Sequence, residues 1–311
     1  MEKKHIGNRM GKVLEKSLNQ KVKRRSFLKV FAAAAATSVV PVKDATALSF
    51  SKYFQKHYKE MSEGDKKKAF DRIKKEAKEK FNTEIDISDP QVIPGVKYAY
   101  CLNLKACNGS RMCVTACAEE NNIDPDIGSY IKVLEMPIGT GNIEHGDLFY
   151  DEHNLPKDGK YYLPTQCNQC DNPPCTKVCP VEATWKEEDG LVVIDYNWCI
   201  GCRYCQSACP YEARHFNFKE PKIDRSKLNT QQSYLSNRVR PKGVMEKCTF
   251  CLHRSREGQY PACLEACPTG ARKFGNILDP KSEVAQIFKK KRVFVLKEEL
   301  NTMPQFFYYF D

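Results

Sequence analysis

Cys199-Ile-Gly-Cys202-Arg-Tyr-Cys205-Gln-Ser-Ala-Cys209-Pro210 sets four cysteines at spacings of x2, x2 and x3. Three thiolates on so tight a loop cover three corners of an iron-sulfur cube, while the fourth points away and ligates a different cluster. Such runs therefore work in pairs. Upstream, Cys167-x2-Cys170-x4-Cys175-x3-Cys179-Pro180 repeats the pattern, with Asp171-Asn172-Pro173-Pro174 widening its middle spacing. Downstream, Cys248-x2-Cys251-x11-Cys263-x3-Cys267-Pro268 opens the same interval into a loop from Leu252 to Ala262. Cys-Pro-x-x-Ala begins at Cys179, Cys209 and Cys267, so one small unit has been reused.

A further group is irregular. Cys107, Cys113 and Cys117 fit the run if Ser110 occupies the second ligand position, giving Cys107-Asn-Gly-Ser110-Arg-Met-Cys113-Val-Thr-Ala-Cys117. One thiolate is missing. Cys101, six residues upstream of Cys107, brings the total to sixteen and replaces the missing ligand if it folds back. Alternatively Ser110 ligates through oxygen, or the corner iron is absent and the cluster is 3Fe-4S. Cys101 is equally read as a buried strand cysteine, since free cysteine is among the most buried residue types.

Two other uses of the cysteines are weaker. Disulfides suit an exported chain, but four cysteines within eleven residues are poorly spaced for stapling loops. Structural zinc sites are built from two Cys-x2-Cys pairs, which leaves the third and fourth thiols of the x2, x2, x3 run unexplained.

The chain has 311 residues, enough for about two domains, and all sixteen cysteines lie between Cys101 and Cys267. Its net charge of +11 is uneven: residues 1–47 hold eight Lys, three Arg, two Glu and one Asp, a net of +8 that leaves +3 for the rest. The basic excess is thus a leader and not a nucleic-acid surface. Lys23-Arg24-Arg25-Ser26-Phe27-Leu28-Lys29, the apolar run Val30 to Val42 and Ala45-Thr46-Ala47 have the build of a twin-arginine export signal, with Lys23 where Ser or Thr is commoner. The run is thirteen residues, interrupted by Thr37, Ser38 and Pro41, against about 20 needed to span a bilayer. No later segment has a spanning apolar run, so a place at a membrane requires a partner that holds the protein there.

Residues 48–95 read as a lysine-rich extension with one amphipathic helix, Ser62 to Phe81, capped by Ser62. Strands are expected at Val96 to Leu104, Tyr130 to Ile138, Leu191 to Ile194 and Val293 to Leu296, and Asp279-Pro280 reads as the start of a helix to about Lys290. Tyr150 to Lys160 and Pro221 to Pro241 read as polar surface connections. None of the six histidines has metal spacing, and Arg203, Arg214 and Arg272 sit near the cysteines, placed either to raise cluster potentials or to pair with Glu182 or Glu212. There is no dinucleotide fingerprint, P-loop or catalytic triad.

From about Tyr98 to Tyr309 the sequence resembles the four-cluster, ferredoxin-like electron-transfer subunits of the complex iron-sulfur molybdoenzymes, such as the small subunits of dimethyl sulfoxide, polysulfide, tetrathionate and formate-dependent nitrite reductases. Cys-Asn-Gln-Cys-Asp-Asn-Pro-Pro-Cys from Cys167 and Cys-Ile-Gly-Cys-Arg-Tyr-Cys from Cys199 carry the likeness. The resemblance implies an α+β fold of two bacterial-ferredoxin-like modules, two clusters each, with loop insertions and an N-terminal helical extension. The outer module takes residues 96–164 and 243–280, the inner one 165–220, with an insertion at 221–242 and a C-terminal helix and strand at 281–311.

By the same resemblance the outer and inner groups each pair. One cluster takes Cys107, Cys113 and Cys267 plus Cys101 or Ser110; a second Cys117, Cys248, Cys251 and Cys263; a third Cys167, Cys170, Cys175 and Cys209; a fourth Cys179, Cys199, Cys202 and Cys205. Three are then 4Fe-4S and the first is 4Fe-4S or 3Fe-4S, since related subunits with a non-cysteine ligand position carry 3Fe-4S. The resemblance further implies a non-catalytic, periplasmic electron-transfer subunit held at the inner membrane by partners: a quinone-interacting integral-membrane subunit, and a molybdopterin catalytic subunit or multihaem cytochrome. Like the subunits of nitrite-reductase complexes, this chain carries its own signal, and folded export by the twin-arginine machinery suits a protein that acquires clusters in the cytoplasm. Reduction of a small molecule at an irregular first cluster is the competing function; a zinc-containing nucleic-acid module is disfavoured by the leader and the low remaining charge.

Overall fold

The structure is a computed structural model describing residues 55–311. The expected export signal lies outside the described residues. The lysine-rich extension forms helix α1, Glu63–Phe81, with Ser62 and Asp65 in a reciprocal capping box and Ala69, Ile73 and Ala77 buried. A short strand β1, Asp86–Ser88, follows.

The main sheet starts at β2, Tyr98–Asn103, every residue of which is buried. Tyr98, Tyr100 and Leu102 face the principal core, while Ala99 and Cys101 face the other way. This is the period-two alternation of a strand covered on both sides. Helix α2, Met112–Glu120, comes next, then the hairpin of β3, Lys132–Pro137, and β4, Lys160–Thr165. The middle of the chain is a string of short elements: α3, Pro174–Lys177; β5, Thr184–Lys186, antiparallel to β6, Val192–Ile194; α4, Tyr204–Ser207; and β7, His215–Phe216. Then come β8, Gln231–Ser233, parallel to β1, and β9, Met245–Glu246, antiparallel to β7.

Two one-turn helices, α5 (Leu252–Ser255) and α6 (Ala262–Glu265), lead to β10, Arg272–Asn276, which pairs antiparallel with β2. Helix α7, Glu283–Lys290, then packs Val284 and Ile287 on the back of that sheet. The chain ends in β11, Val293–Phe294, and β12, Phe306–Tyr309, which completes the order β10-β2-β12-β11. Stacked rings join these strands: Phe306 is the parallel partner of Tyr100, their centroids 4.9 Å apart. Small mixed α and β elements around one aromatic core agree with the expected α+β class. Among the described residues no helix is long and apolar enough to cross a membrane.

Two expectations need correction. The cap of α7 is Ser282, whose Oγ accepts from Ala285 N at 3.1 Å; Asp279 closes an Asx turn on Lys281 N at 2.9 Å and stays outside the helix. The connection from Pro221 to Pro241 is a surface segment only in its first half, where Lys222, Asp224, Arg225, Ser226 and Lys227 are exposed; from Gln232 onward it is mostly buried. Tyr234, Leu235, Asn237, Arg238 and Arg240 within it are at most 2% exposed. Their polar groups are satisfied from distant segments: Asn122 Nδ2 donates to Asn237 O at 3.0 Å and Arg240 Nη2 donates to Asn122 O at 2.9 Å. Arg238 Nη2 donates to Asn197 Oδ1 at 2.9 Å, tying the stretch to the loop before Cys199 as well.

Candidate functional site

The Cys199 loop is shaped by glycine. Gly201 has φ +67°, and a Cβ there would lie 2.1 Å from Gly243 O. Arg203 follows with φ 64° and α4 starts at the next residue. The irregular group has the same backbone: Gly109 has φ +78° with a Cβ position 2.4 Å from the Tyr162 ring, Arg111 has φ 53°, and α2 starts next. Two glycines that only glycine can replace, each followed by a left-handed arginine, put Ser110 where Cys202 stands. The Cys-Pro-x-x-Ala turns are also alike, since Glu182, Glu212 and Gly270 have φ of 53°, 50° and 62°. Their alanines, Ala183, Ala213 and Ala271, are at most 5% exposed.

Side chains converge in four places. At the first site Cys107, Ser110, Cys113 and Cys267 line one cavity with Arg272. At the second, burial pushes the Cys117 thiol well above its usual range, and Cys248, Cys263 and Cys251 alongside push it further. At the third, burial lifts Cys170 to about 12, helped by Cys167, Cys175 and Cys209. At the fourth, Cys179, Cys199, Cys202 and Cys205 line a cavity with Arg214. Consecutive sites adjoin. Cys113 of the first acts on Cys263 of the second, Cys167 of the third on Cys248 of the second, and Cys175 of the third on Cys205 of the fourth.

All sixteen cysteines are free thiols, so the structure gives no support to disulfides. Among the described residues no three His, Cys, Asp or Glu side chains are gathered as the donor set of a single metal ion. A cube holds its thiolates at its corners, further apart than the ligands of one ion. The donor chemistry fits such a group: soft sulfur ligands, desolvated so that protons stay on unless iron displaces them. Burial raises Cys107 to about 11 and, with Cys263 nearby, Cys251 to about 12. Cys267 is shifted the other way, because bonds from Thr269 and the backbone outweigh burial and hold its thiol below the usual value.

Cys101 stands apart from all four sites. It packs with Ala99, Val284, Ile287 and Tyr309 beneath α7, on the face of β2 turned away from Leu102, which lines the first cavity. Burial, with Glu283 nearby, raises its thiol to about 12. The strand alternation explains this placement: folding back toward Cys107 would break β2.

Other residues near sulfur were silent in the sequence. Tyr100 Oη lies 3.3 Å from Cys263 Sγ, and Asn121 Nδ2 lies 3.8 Å from Sγ of both Cys117 and Cys251. Only the alternation of β2 pointed to Tyr100; nothing local pointed to Asn121. Of the three arginines, Arg203 lies over the rings of Phe216 and Phe218, at 5.4 and 5.7 Å, while Arg214 and Arg272 are buried against the thiols. Glu212 pairs with Lys132 at 3.0 Å and Arg214 with the Thr184 hydroxyl, so the expected Arg-Glu pairing is not formed there.

The 4Fe-4S dicluster domain family matches residues 159–234 and 233–277. A selenate reductase subunit of Mesobacillus selenatarsenatis is 40% identical over 224 residues, covering 68% of this chain and 72% of that protein. The menaquinone reductase iron-sulfur cluster-binding subunit of Nitratidesulfovibrio vulgaris is 39% identical over 234 residues, 68% of this chain and 88% of that one. A tetrathionate reductase subunit of Salmonella typhimurium is 36% identical over 217 residues, 69% and 73%. The chain belongs to the iron-sulfur subunits of the molybdoenzyme family. As such a subunit it carries electrons and catalyses no bond chemistry, and its thiol groups are places for 4Fe-4S clusters. The reading as a small-molecule reductase gives way to that membership.

Proposed function

We propose that this subunit relays single electrons through four clusters, one at each site in the order described, between a quinone-linked membrane subunit and a molybdopterin or multihaem cytochrome partner on the periplasmic side of the inner membrane. The relay is supported by Arg272, which lies within 3.9 Å of sulfur in both the first and second sites, and by the electrostatic influence of each thiol group on the next. The quinone link is supported by the relative named as a menaquinone reductase subunit, and the periplasm and twin-arginine export by Arg24-Arg25 and the apolar run after them. Each cluster, when bound, accepts and passes on one electron.

The residues of the chain hold and tune these groups. Cys107, Cys113 and Cys267 hold the first; Cys117, Cys248, Cys251 and Cys263 the second; Cys167, Cys170, Cys175 and Cys209 the third; Cys179, Cys199, Cys202 and Cys205 the fourth. Burial keeps water from the second site most fully, where all four cysteines are at most 7% exposed. Ser110 fills the remaining corner of the first site. A hydroxyl surrenders its proton far less readily than a thiol, so three sulfur ligands there favour a 3Fe-4S cluster over a 4Fe-4S cluster.

Ser110→Cys tests this assignment. The expected result is a gain of about one iron per chain and loss of the 3Fe-4S EPR signal of the oxidised protein. Cys101→Ala is expected to leave both unchanged. Loss of the first cluster in Cys101→Ala would restore Cys101 as the ligand.

A further inference from the structure

Arg214 and Arg272 occupy one position in the repeat, directly after the alanine of Cys-Pro-x-x-Ala, and both are 2% exposed. Each guanidinium faces the sulfur of two adjoining sites. Arg272 Nη2 lies 3.4 Å from Cys113 Sγ of the first site, and its Nη1 lies 3.9 Å from Cys263 Sγ of the second. Its Nη1 also donates to Gln166 Oε1 at 2.9 Å, and the Tyr100 ring centroid is 5.6 Å away, which fixes the fork. Arg214 lines the cavity of the fourth site beside Cys205 and acts electrostatically on Cys175 and Cys167 of the third. Its Nη2 donates to Thr184 Oγ1 at 3.0 Å, while buried Nη1 has no hydrogen-bond partner and the group's charged neighbours are the thiols of Cys175 and Cys205. A charged donor is not left stranded in a protein interior without cost, and the acceptors within its surroundings are those a cluster would bring.

We infer that Arg272 is a fixed cation shared by the first and second clusters and Arg214 one shared by the third and fourth, each raising both reduction potentials of its pair together. The reasoning is electrostatic. Reduction adds an electron to a cluster already surrounded by thiolates, and a guanidinium a few ångströms away in a water-poor interior favours that added charge. Arginine stays protonated under all working conditions, so the effect does not switch off with pH. Because each cation acts on both members of a pair, it shifts their potentials together and leaves the difference between them largely unchanged. The inference rests on the four-cluster relay proposed above.

The test is an EPR-monitored redox titration of the full, cluster-loaded chain carrying Arg214→Gln, Arg272→Gln, or the corresponding lysine changes. In Arg272→Gln the reduction equilibria of the first and second clusters are expected to fall about tenfold, which is 59 mV for one electron, with the third and fourth unmoved. Arg214→Gln is expected to do the converse, and Arg214→Lys and Arg272→Lys to recover most of each shift. Four loaded clusters with unchanged potentials in the glutamine variants, or an equal shift of all four, would overturn the inference. So would loss of the same pair of clusters from glutamine and lysine variants alike, since the side chain would then act by shape and not charge. Fewer than four clusters in the unaltered chain would instead overturn the relay itself.

Discussion

Cys209→Ala is expected to cost about four irons and to stop electron flow from one end of the protein to the other, a loss greater than the roughly 100-fold that removing a supporting partner of a metal ligand can cause. Cys209 belongs by sequence to the Cys199 run, yet its thiol is raised by burial and by Cys167 and Cys175 of the third site. The x3 step after Cys205 carries it across. A double change separates this crossed pairing from a simpler one in which each run fills its own site. Cys209→Ala with Cys170→Ala should cost no more iron than either change alone, because one cluster is lost once. Cys209→Ala with Cys202→Ala should cost about eight irons, and a loss of only about four in that variant would show that the run keeps its own cluster. Total iron, acid-labile sulfide and rates with a strong donor and acceptor are the measurements.

Arg240→Met is expected to destabilise the loaded protein by about 3–5 kcal/mol, the cost of stranding one member of a buried ion pair. Arg240 and Glu246 are each 1% exposed at the side chain and paired through Nε. The guanidinium also donates to Asn122 O at 2.9 Å, to Arg238 O at 2.7 Å and to Asn121 O. Methionine fills much of the space but leaves the Glu246 carboxylate with only the Tyr130 hydroxyl, 3.1 Å from Oε2, while Oε1 has no partner even beforehand. For a domain of this size a loss of that order lowers the midpoint of thermal unfolding by roughly 6–20 °C. The second site should suffer first, because Asn121, whose carbonyl Arg240 holds, carries its amide against Cys117 and Cys251. Lys78→Met, which breaks an exposed pair with Glu84, should leave the midpoint unmoved. A fall in Arg240→Met no larger than in that control would contradict the network's role.

These two regions also mark how far the sequence could be read. The cysteine runs are legible because a cluster accepts only a few ligand spacings, and the glycine before Ser110 is legible because its counterpart precedes Cys202. The cap of α1 is local, Ser62 and Asp65 lying three residues apart. The buried stretch around Arg240 left no such trace. Its polar groups find partners more than a hundred residues away, as Asn122 does at Asn229 and Asn237, and chain periodicity is blind to that distance. Cys101 shows two signals in competition: counting cysteines offered it as a ligand, while the alternation of β2 turns it from Leu102 and the first cavity, as the alternative reading of a buried strand cysteine expects. Ser282 displaced Asp279 as the α7 cap because two good capping residues stood three apart and only packing chose between them.

The relay stands or falls on what the thiol groups hold. Iron, acid-labile sulfide and zinc should be counted on anaerobically purified full-length protein, with EPR before and after reduction. About fifteen irons per chain, a 3Fe-4S signal when oxidised and interacting 4Fe-4S signals on reduction are the expected result. Zinc in place of iron, or iron near eight per chain with no signal beyond two clusters, would contradict it.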